Sequence, residues 1–285
     1  MSRRARGLLT ACLALAVPAA LAAQAPTPRP ASEWGSGPGG DGPPVFRHEP
    51  IFGVGPHTTW KGGWGLEMEL ESESGEQTIP VELLYGITER LTMTVALPFS
   101  TPGAGSGVGD LGLRAKWRFA TTFDREGSNA LAVLGGVTIP RVGVVGVRKG
   151  GPTAMLGLAA GRESRRWYFF AGARGIVRTS DNGIAPGDRV ALNLAWGIRP
   201  RRTEFRAPDL VLLLETNGRY EGRTRVDGRL RRASGGRVLT VAPAFLLSVR
   251  NVMLKGGVEL PVWDDFNDPL RSADATVVAA IELHW

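Results

Sequence analysis

Several groups of side chains in this 285-residue chain have the types and spacing that chemistry needs. Gly107-Val108-Gly109-Asp110-Leu111-Gly112 fits G-x-G-x-x-G, whose amides hold phosphate when the motif follows a strand and opens a helix. Here the following residues alternate at period two, so the motif reads as a loop-to-strand bend with Asp110 at its rim. His48, His57 and His284 are the only histidines, and none has metal-ligand spacing or stands near a nucleophile turn. Glu67, Glu69, Glu71 and Glu73 share one parity, and Asp264, Asp265 and Asp268 cluster in a loop. Either group could gather a cation through oxygens, against the plainer expectation of acids that pair with arginines. No catalytic residue, metal site or cofactor is expected. The broader lead is a dispersed set of charged and polar side chains: Glu82, Arg114, Lys116, Arg118, Arg174, Arg189, Asn193, Arg199, Glu215, Arg219, Lys255 and Glu259. Each falls on the polar parity of an alternating segment.

The segment that shows this alternation best is Val108–Phe119. Leu111, Leu113, Ala115, Trp117 and Phe119 take one parity, and Asp110, Arg114, Lys116 and Arg118 the other. A strand places these sets on opposite faces. Twelve segments repeat the pattern: Trp60–Leu70, Thr78–Thr88, Leu91–Phe99, Val108–Phe119, Ala130–Pro140, Thr153–Gly161, Trp167–Arg178, Arg189–Arg199, Leu210–Glu221, Val238–Val249, Val252–Trp263 and Asp274–Trp285. Trp60, Trp64, Trp117, Trp167, Trp196, Trp263 and Trp285 lie near their ends, as interfacial girdles do. Apolar-outward, polar-inward strands with aromatic ends predict an all-β, transmembrane, antiparallel up-and-down barrel. The count is about twelve, with ten to fourteen allowed by the glycine-rich middle. Connections alternate in length, except that Ala120–Asn129 and Pro200–Asp209 are longer than the pattern asks.

Targeting agrees with a barrel. Residues 1–22 carry Arg3, Arg4 and Arg6, then an apolar run, then Ala20-Leu21-Ala22, which reads as a cleavable signal peptide. Cleavage would remove the only cysteine, Cys12, and lower the formal charge from +7 to +4. Residues 23–58 are a Pro/Gly-rich leader, disordered or tucked into the barrel mouth, and residues 59–285 form the barrel. The final strand stops at Trp285, as segments read by the outer-membrane assembly machinery do. The place implied is the bacterial outer membrane.

Glu82-Leu83-Leu84-Tyr85-Gly86-Ile87-Thr88, Leu97-Pro98-Phe99 and Gly107-Val108-Gly109-Asp110-Leu111 resemble an outer-membrane family associated with the meta-pathway of phenol degradation (MetA-pathway), whose members are often described as transporters. The close likeness covers Thr78–Phe119; elsewhere only the strand rhythm agrees. The resemblance implies a barrel that passes small hydrophobic or aromatic compounds. The chain departs from it in the Pro/Gly leader and in the arginine-rich loop Gly222–Arg237.

Two readings of function follow. A twelve-stranded lumen lies between side-chain-filled and open barrels, so the inward charges either line a narrow path for a small-molecule solute or pair and plug it. Arg223, Arg225, Arg229, Arg231, Arg232 and Arg237 lack interleaved aromatics, which argues against nucleic acid and for lipopolysaccharide phosphates or solvent, with lipid around the barrel wall. A lipid-acting enzyme would need a Ser–His pair at the outer rim, and none is apparent.

Overall fold

Hydrocarbon offers backbone amides no partner, so a sheet that spans it must close on itself. The computed structural model does so with twelve long antiparallel strands, describing residues 48–73, 76–100, 107–124, 126–140, 151–201, 208–249 and 251–285. In chain order they are β1 (Trp64–Glu73), β2 (Glu76–Thr88), β3 (Leu91–Ser100), β4 (Leu111–Phe123), β5 (Gly127–Ile139), β6 (Thr153–Ser164), β7 (Trp167–Arg178), β8 (Arg189–Ile198), β9 (Asp209–Glu221), β10 (Gly236–Val249), β11 (Val252–Phe266) and β12 (Thr276–His284). Each pairs with its sequence neighbour, and β12 pairs back onto β1 with Gly65 opposite His284. Trp64 and Trp285 exchange both backbone hydrogen bonds, at 2.9 and 3.1 Å, and finish the seam. The expected signal peptide, residues 23–47 and parts of the expected loops (101–106, 141–150 and 202–207) lie outside the described residues.

The turns Glu89-Arg90, Asp124–Glu126 and Arg165-Arg166 fall at one end of the barrel, with Trp285 and the start of β1. The longer connections after β3, β5, β7, β9 and β11 fall at the other. Two expectations change. The first strand begins at Trp64, not Trp60, because Gly62 turns the chain with φ 76° and its amide donates to the Gly86 carbonyl at 2.7 Å. Lys61 is therefore an exposed turn residue. Ala120–Asn129 is no loop either: a bulge between Arg118 and Ala120 flips the alternation, so β4 runs on to Phe123. The Asp124 carboxylate then accepts from the amides of Glu126 and Gly127.

The outward face is a continuous apolar surface, including Leu83, Val95, Leu131, Leu156, Leu212, Leu254 and Val277. Trp64, Tyr85, Trp117, Trp167, Trp196 and Trp285 crowd its short-turn end, where Trp167 and Trp196 stack at 5.5 Å. Leu194 on β8 is 53% exposed in the midst of this band. Leu194→Arg is expected to destabilise the barrel in lipid by about 2–4 kcal/mol, as a cation at mid-bilayer depth does. Denaturant unfolding in vesicles measures it, and an unchanged midpoint would mean that Leu194 faces no hydrocarbon.

Candidate functional site

The barrel interior holds two things: a strap made of the chain's own residues 48–60, and a cavity beside it. The strap has no regular structure, so its polar backbone must be satisfied by the wall. Its feet are at the short-turn end. From His48 it rises to Ile51–Val54, where Glu215 on β9 accepts from the amides of Ile51 (2.7 Å) and Phe52 (3.1 Å). Asn193 on β8 accepts from the Val54 amide at 3.3 Å. The strap then descends: the Thr58 hydroxyl donates to the Glu89 carbonyl, and the Thr59 amide donates to the Thr92 hydroxyl at 2.8 Å. Two wall glycines let it come close. A Cβ on Gly172 would lie 2.5 Å from Val54 Cγ2, and one on Gly86 only 1.8 Å from the Trp60 carbonyl oxygen. Trp60 lies in the lumen 5.6 Å from the His284 ring, which removes it from the outer girdle.

The wall against which the strap packs is apolar. Tyr168 and Phe170 of β7, Ala195 of β8, Val211 and Leu213 of β9, Leu246 of β10 and Met253 of β11 form a buried inward-facing cluster, and Ile51 packs on it. Beneath this cluster the first foot is locked by a buried polar network. His48 Nδ1 lies 3.0 Å from the Tyr168 hydroxyl and 3.3 Å from Glu163 Oε1, and Nε2 lies 2.9 Å from the Ser248 hydroxyl. The Tyr168 hydroxyl donates to Glu163 at 2.9 Å. Arg199, fully buried, donates through Nε and Nη2 to both oxygens of Asp209, through Nη2 to Glu163 at 3.2 Å, and through Nη1 to the Ser164 carbonyl. Its guanidinium stands 4.6 Å over the Tyr168 ring. His57, on the returning arm, approaches the second Glu163 oxygen at 3.4 Å.

Ser248, His48 and Glu163 thus have the spacing of a Ser–His–acid relay, at the short-turn end and not at the outer rim where a lipid-acting enzyme would need it. All three are buried, and neither His48 nor Ser248 borders the cavity, so a carbonyl substrate has no approach to the hydroxyl. The network fastens the strap.

The cavity, about 650 Å³, lies on the β1–β4 side of the strap. Its lining extends from Glu73, Glu259 and Thr276 toward the long-loop end to Glu89, Trp60 and His284 at the short-turn end. Of the charged and polar residues expected inside, Glu82, Arg114, Lys116, Arg174, Arg219, Lys255 and Glu259 border it. The other five do not. Asn193 and Glu215 hold the strap, and Arg199 is locked between Glu163 and Asp209. Arg118 donates to the Glu89 carbonyl at 2.6 Å, and Arg189 sits 3.6 Å from Glu221 at the long-loop end.

Most of the bordering charges have partners. Arg114 pairs with Glu82, Lys116 with Glu49 of the strap at 2.5 and 2.6 Å, and Lys255 with Glu67 and Glu282, each at 2.6 Å. Glu259 accepts from Thr240 at 2.6 Å and from Asn217 at 3.0 Å. Glu67, Glu69, Glu71 and Glu73 all line the cavity, yet among the described residues no group of three or more His, Cys, Asp or Glu converges as a metal site. The G-x-G-x-x-G residues form the predicted bend: Gly107–Val108 pairs with Phe99 and Ser100, and the Gly109 amide donates to the Pro98 carbonyl at 2.7 Å. The sequence analysis missed Glu49, Glu163, Tyr168, Asp209 and Ser248. Their only sequence signal is a polar residue at a strand end or in an aperiodic leader.

Comparison with solved structures gives a global match to an outer membrane channel from Pseudomonas putida F1, with TM-score 0.65 and 12% identity over 84% of this chain and 100% of that one. The NanC porin aligns with TM-score 0.49 and 6% identity over 77% of this chain and 98% of that one. Neither a family model nor a curated protein sequence matches the chain. The channel from P. putida has the same fold.

Proposed function

We propose that this chain, exported through a cleavable signal peptide, forms a bacterial outer-membrane channel for passive passage of small molecules. The observation that carries the reading is the charged cavity beside the strap, whose lining runs from one end of the barrel toward the other. Its volume of about 650 Å³ admits a small organic solute, since small-molecule sites span roughly 300–1,000 Å³. The barrel wall turns its apolar face to lipid, the arginine loop meets lipopolysaccharide phosphates, and the last strand is the assembly machinery's handle. The resemblance over Thr78–Phe119 supports a kinship with the MetA-pathway family. That family's hydrophobic or aromatic solutes would meet an apolar share of the wall that includes Ile51, Phe52, Trp60, Leu84, Phe123 and Met155 among its charges.

A second reading, a structural barrel with a closed lumen, is favoured by one feature: the buried lock that fastens the strap inside. Single-channel recording on the purified barrel in planar bilayers separates the two. Discrete, ohmic openings of the full-length protein are expected. A heat-modifiable, correctly inserted barrel that never conducts would establish the closed scaffold instead.

A further inference from the structure

The charges around the cavity divide into those matched by a cation, a carboxylate or a neutral donor of the wall and those that meet no opposite charge. Arg114, Lys116 and Lys255 are each bound by a carboxylate, and Glu67, Glu82, Glu259 and Glu282 are likewise engaged. Among the described residues, no arginine or lysine comes within ion-pair distance of Glu69, Glu71 or Glu73, and no carboxylate does so for Arg174 or Arg219. Glu69 and Glu71 hydrogen-bond each other, and no cation offsets the pair. The groups that meet no opposite charge are not mixed. The glutamates all stand on β1, whereas Arg174 stands on β7 and Arg219 on β9. In a closed ring of twelve strands in sequence order, β7 lies six places from β1, on the opposite wall. Both sets border the same cavity. Carboxyl groups that no cation offsets therefore face guanidiniums that no carboxylate offsets across the space a solute would occupy.

We propose that the lumen favours solutes carrying both charges at once: zwitterions whose ammonium and carboxylate are separated by a short chain, as in the ω-amino acids. This rests on the channel reading and names the substrate class for that same cavity. A lone anion gains near Arg174 and Arg219 and loses near Glu69, Glu71 and Glu73; a lone cation meets the reverse. A zwitterion lying across the lumen, with its carboxylate toward β7 and β9 and its ammonium toward β1, gains at both walls. A wall of one sign would have marked an anion or a cation path, and paired charges throughout would have marked a filled scaffold.

Four compounds of one length test this: 5-aminopentanoate (zwitterion), 5-aminopentanamide (cation), glutaramate (anion) and glutaramide (neutral). Efflux of an equimolar mixture from vesicles that carry the full-length barrel is read by mass spectrometry against protein-free vesicles. The zwitterion is expected to leave about five-fold faster than glutaramide, the scale of one unit-charge contact at about 4 Å under full bulk-water screening. The pair R174Q/R219Q should erase that preference and make the cation fastest, and E69Q/E71Q should make the anion fastest. Heat-modifiable migration on gels shows that each variant is folded, and a variant that fails it leaves the wild-type ranking and the other pair as the test. If glutaramide passes as fast as the zwitterion, the charge preference is overturned and the channel stands. If none of the four leaves faster than from protein-free vesicles, the channel reading itself falls.

Discussion

A barrel whose strap residues 49–56 are replaced by two glycines is expected to conduct several-fold more current than the full-length protein. The strap lies across the lumen from the β7–β10 wall to Lys116, and the cavity that remains is the space it leaves. Its two feet approach one carboxylate, Glu163, from either side: His48 at 3.3 Å and His57 at 3.4 Å. A short bridge can therefore join them while both feet stay locked. Removal frees Lys116 from Glu49 and uncovers Glu215 and Asn193, which adds charge as well as width to the path. The cost falls on stability, because Ile51 no longer covers Tyr168, Phe170 and Leu213. Single-channel conductance together with the temperature at which the folded gel band is lost reads both effects. Unchanged conductance in a folded variant would mean that the constriction lies elsewhere, in the long-loop connections.

The second large effect is on stability alone. Arg199→Ala is expected to cost about 3–5 kcal/mol, the usual penalty for removing one partner of a buried ion pair. Among the described residues Arg199 is the one arginine or lysine that contacts both Glu163 and Asp209; Arg199 and Glu163 are buried and the Asp209 side chain is mostly so. Without it the buried Glu163 and the mostly buried Asp209 face each other across His48. Arg199→Lys should recover only part of the loss, since an ammonium cannot present Nε and Nη2 to both Asp209 oxygens at once. Urea unfolding of the refolded barrel in lipid measures the difference. A loss below 1 kcal/mol would show that the network is wet and the strap held by its apolar contacts.

The outer half of the fold was legible because lipid imposes a strict rule. Every outward residue must be apolar, so Leu192, Leu194 and Trp196, or Leu210, Leu212 and Leu214, announce their strands one by one. The inner half obeys no such rule. In β9 the run Leu210-Val211-Leu212-Leu213-Leu214 is apolar on both faces, and alternation cannot say why Val211 and Leu213 are greasy. They are so because Ile51 and the aromatic pair Tyr168 and Phe170 cover them. Trp60 shows the same failure from the other side. Its type and place suggest a girdle, yet it turns inward because Gly86 leaves room for its carbonyl.

The functional site was legible only as a list of charged positions. Arg114, Lys116 and Arg219 could be assigned to the inside by parity, but parity does not say which carboxylate reaches which cation. Glu49, which engages Lys116 from 67 residues away, sits in an aperiodic leader. Ser248 and His48 are 200 residues apart.

By itself, then, the sequence determined the strands, their facing and their closure into a ring, since those follow from local alternation in contact with hydrocarbon. Tertiary structure decided what fills the ring. An irregular segment can lie inside a barrel only where distant strands supply partners for its amides, and Glu215, Asn193 and Thr92 become such partners only once the barrel has closed around it.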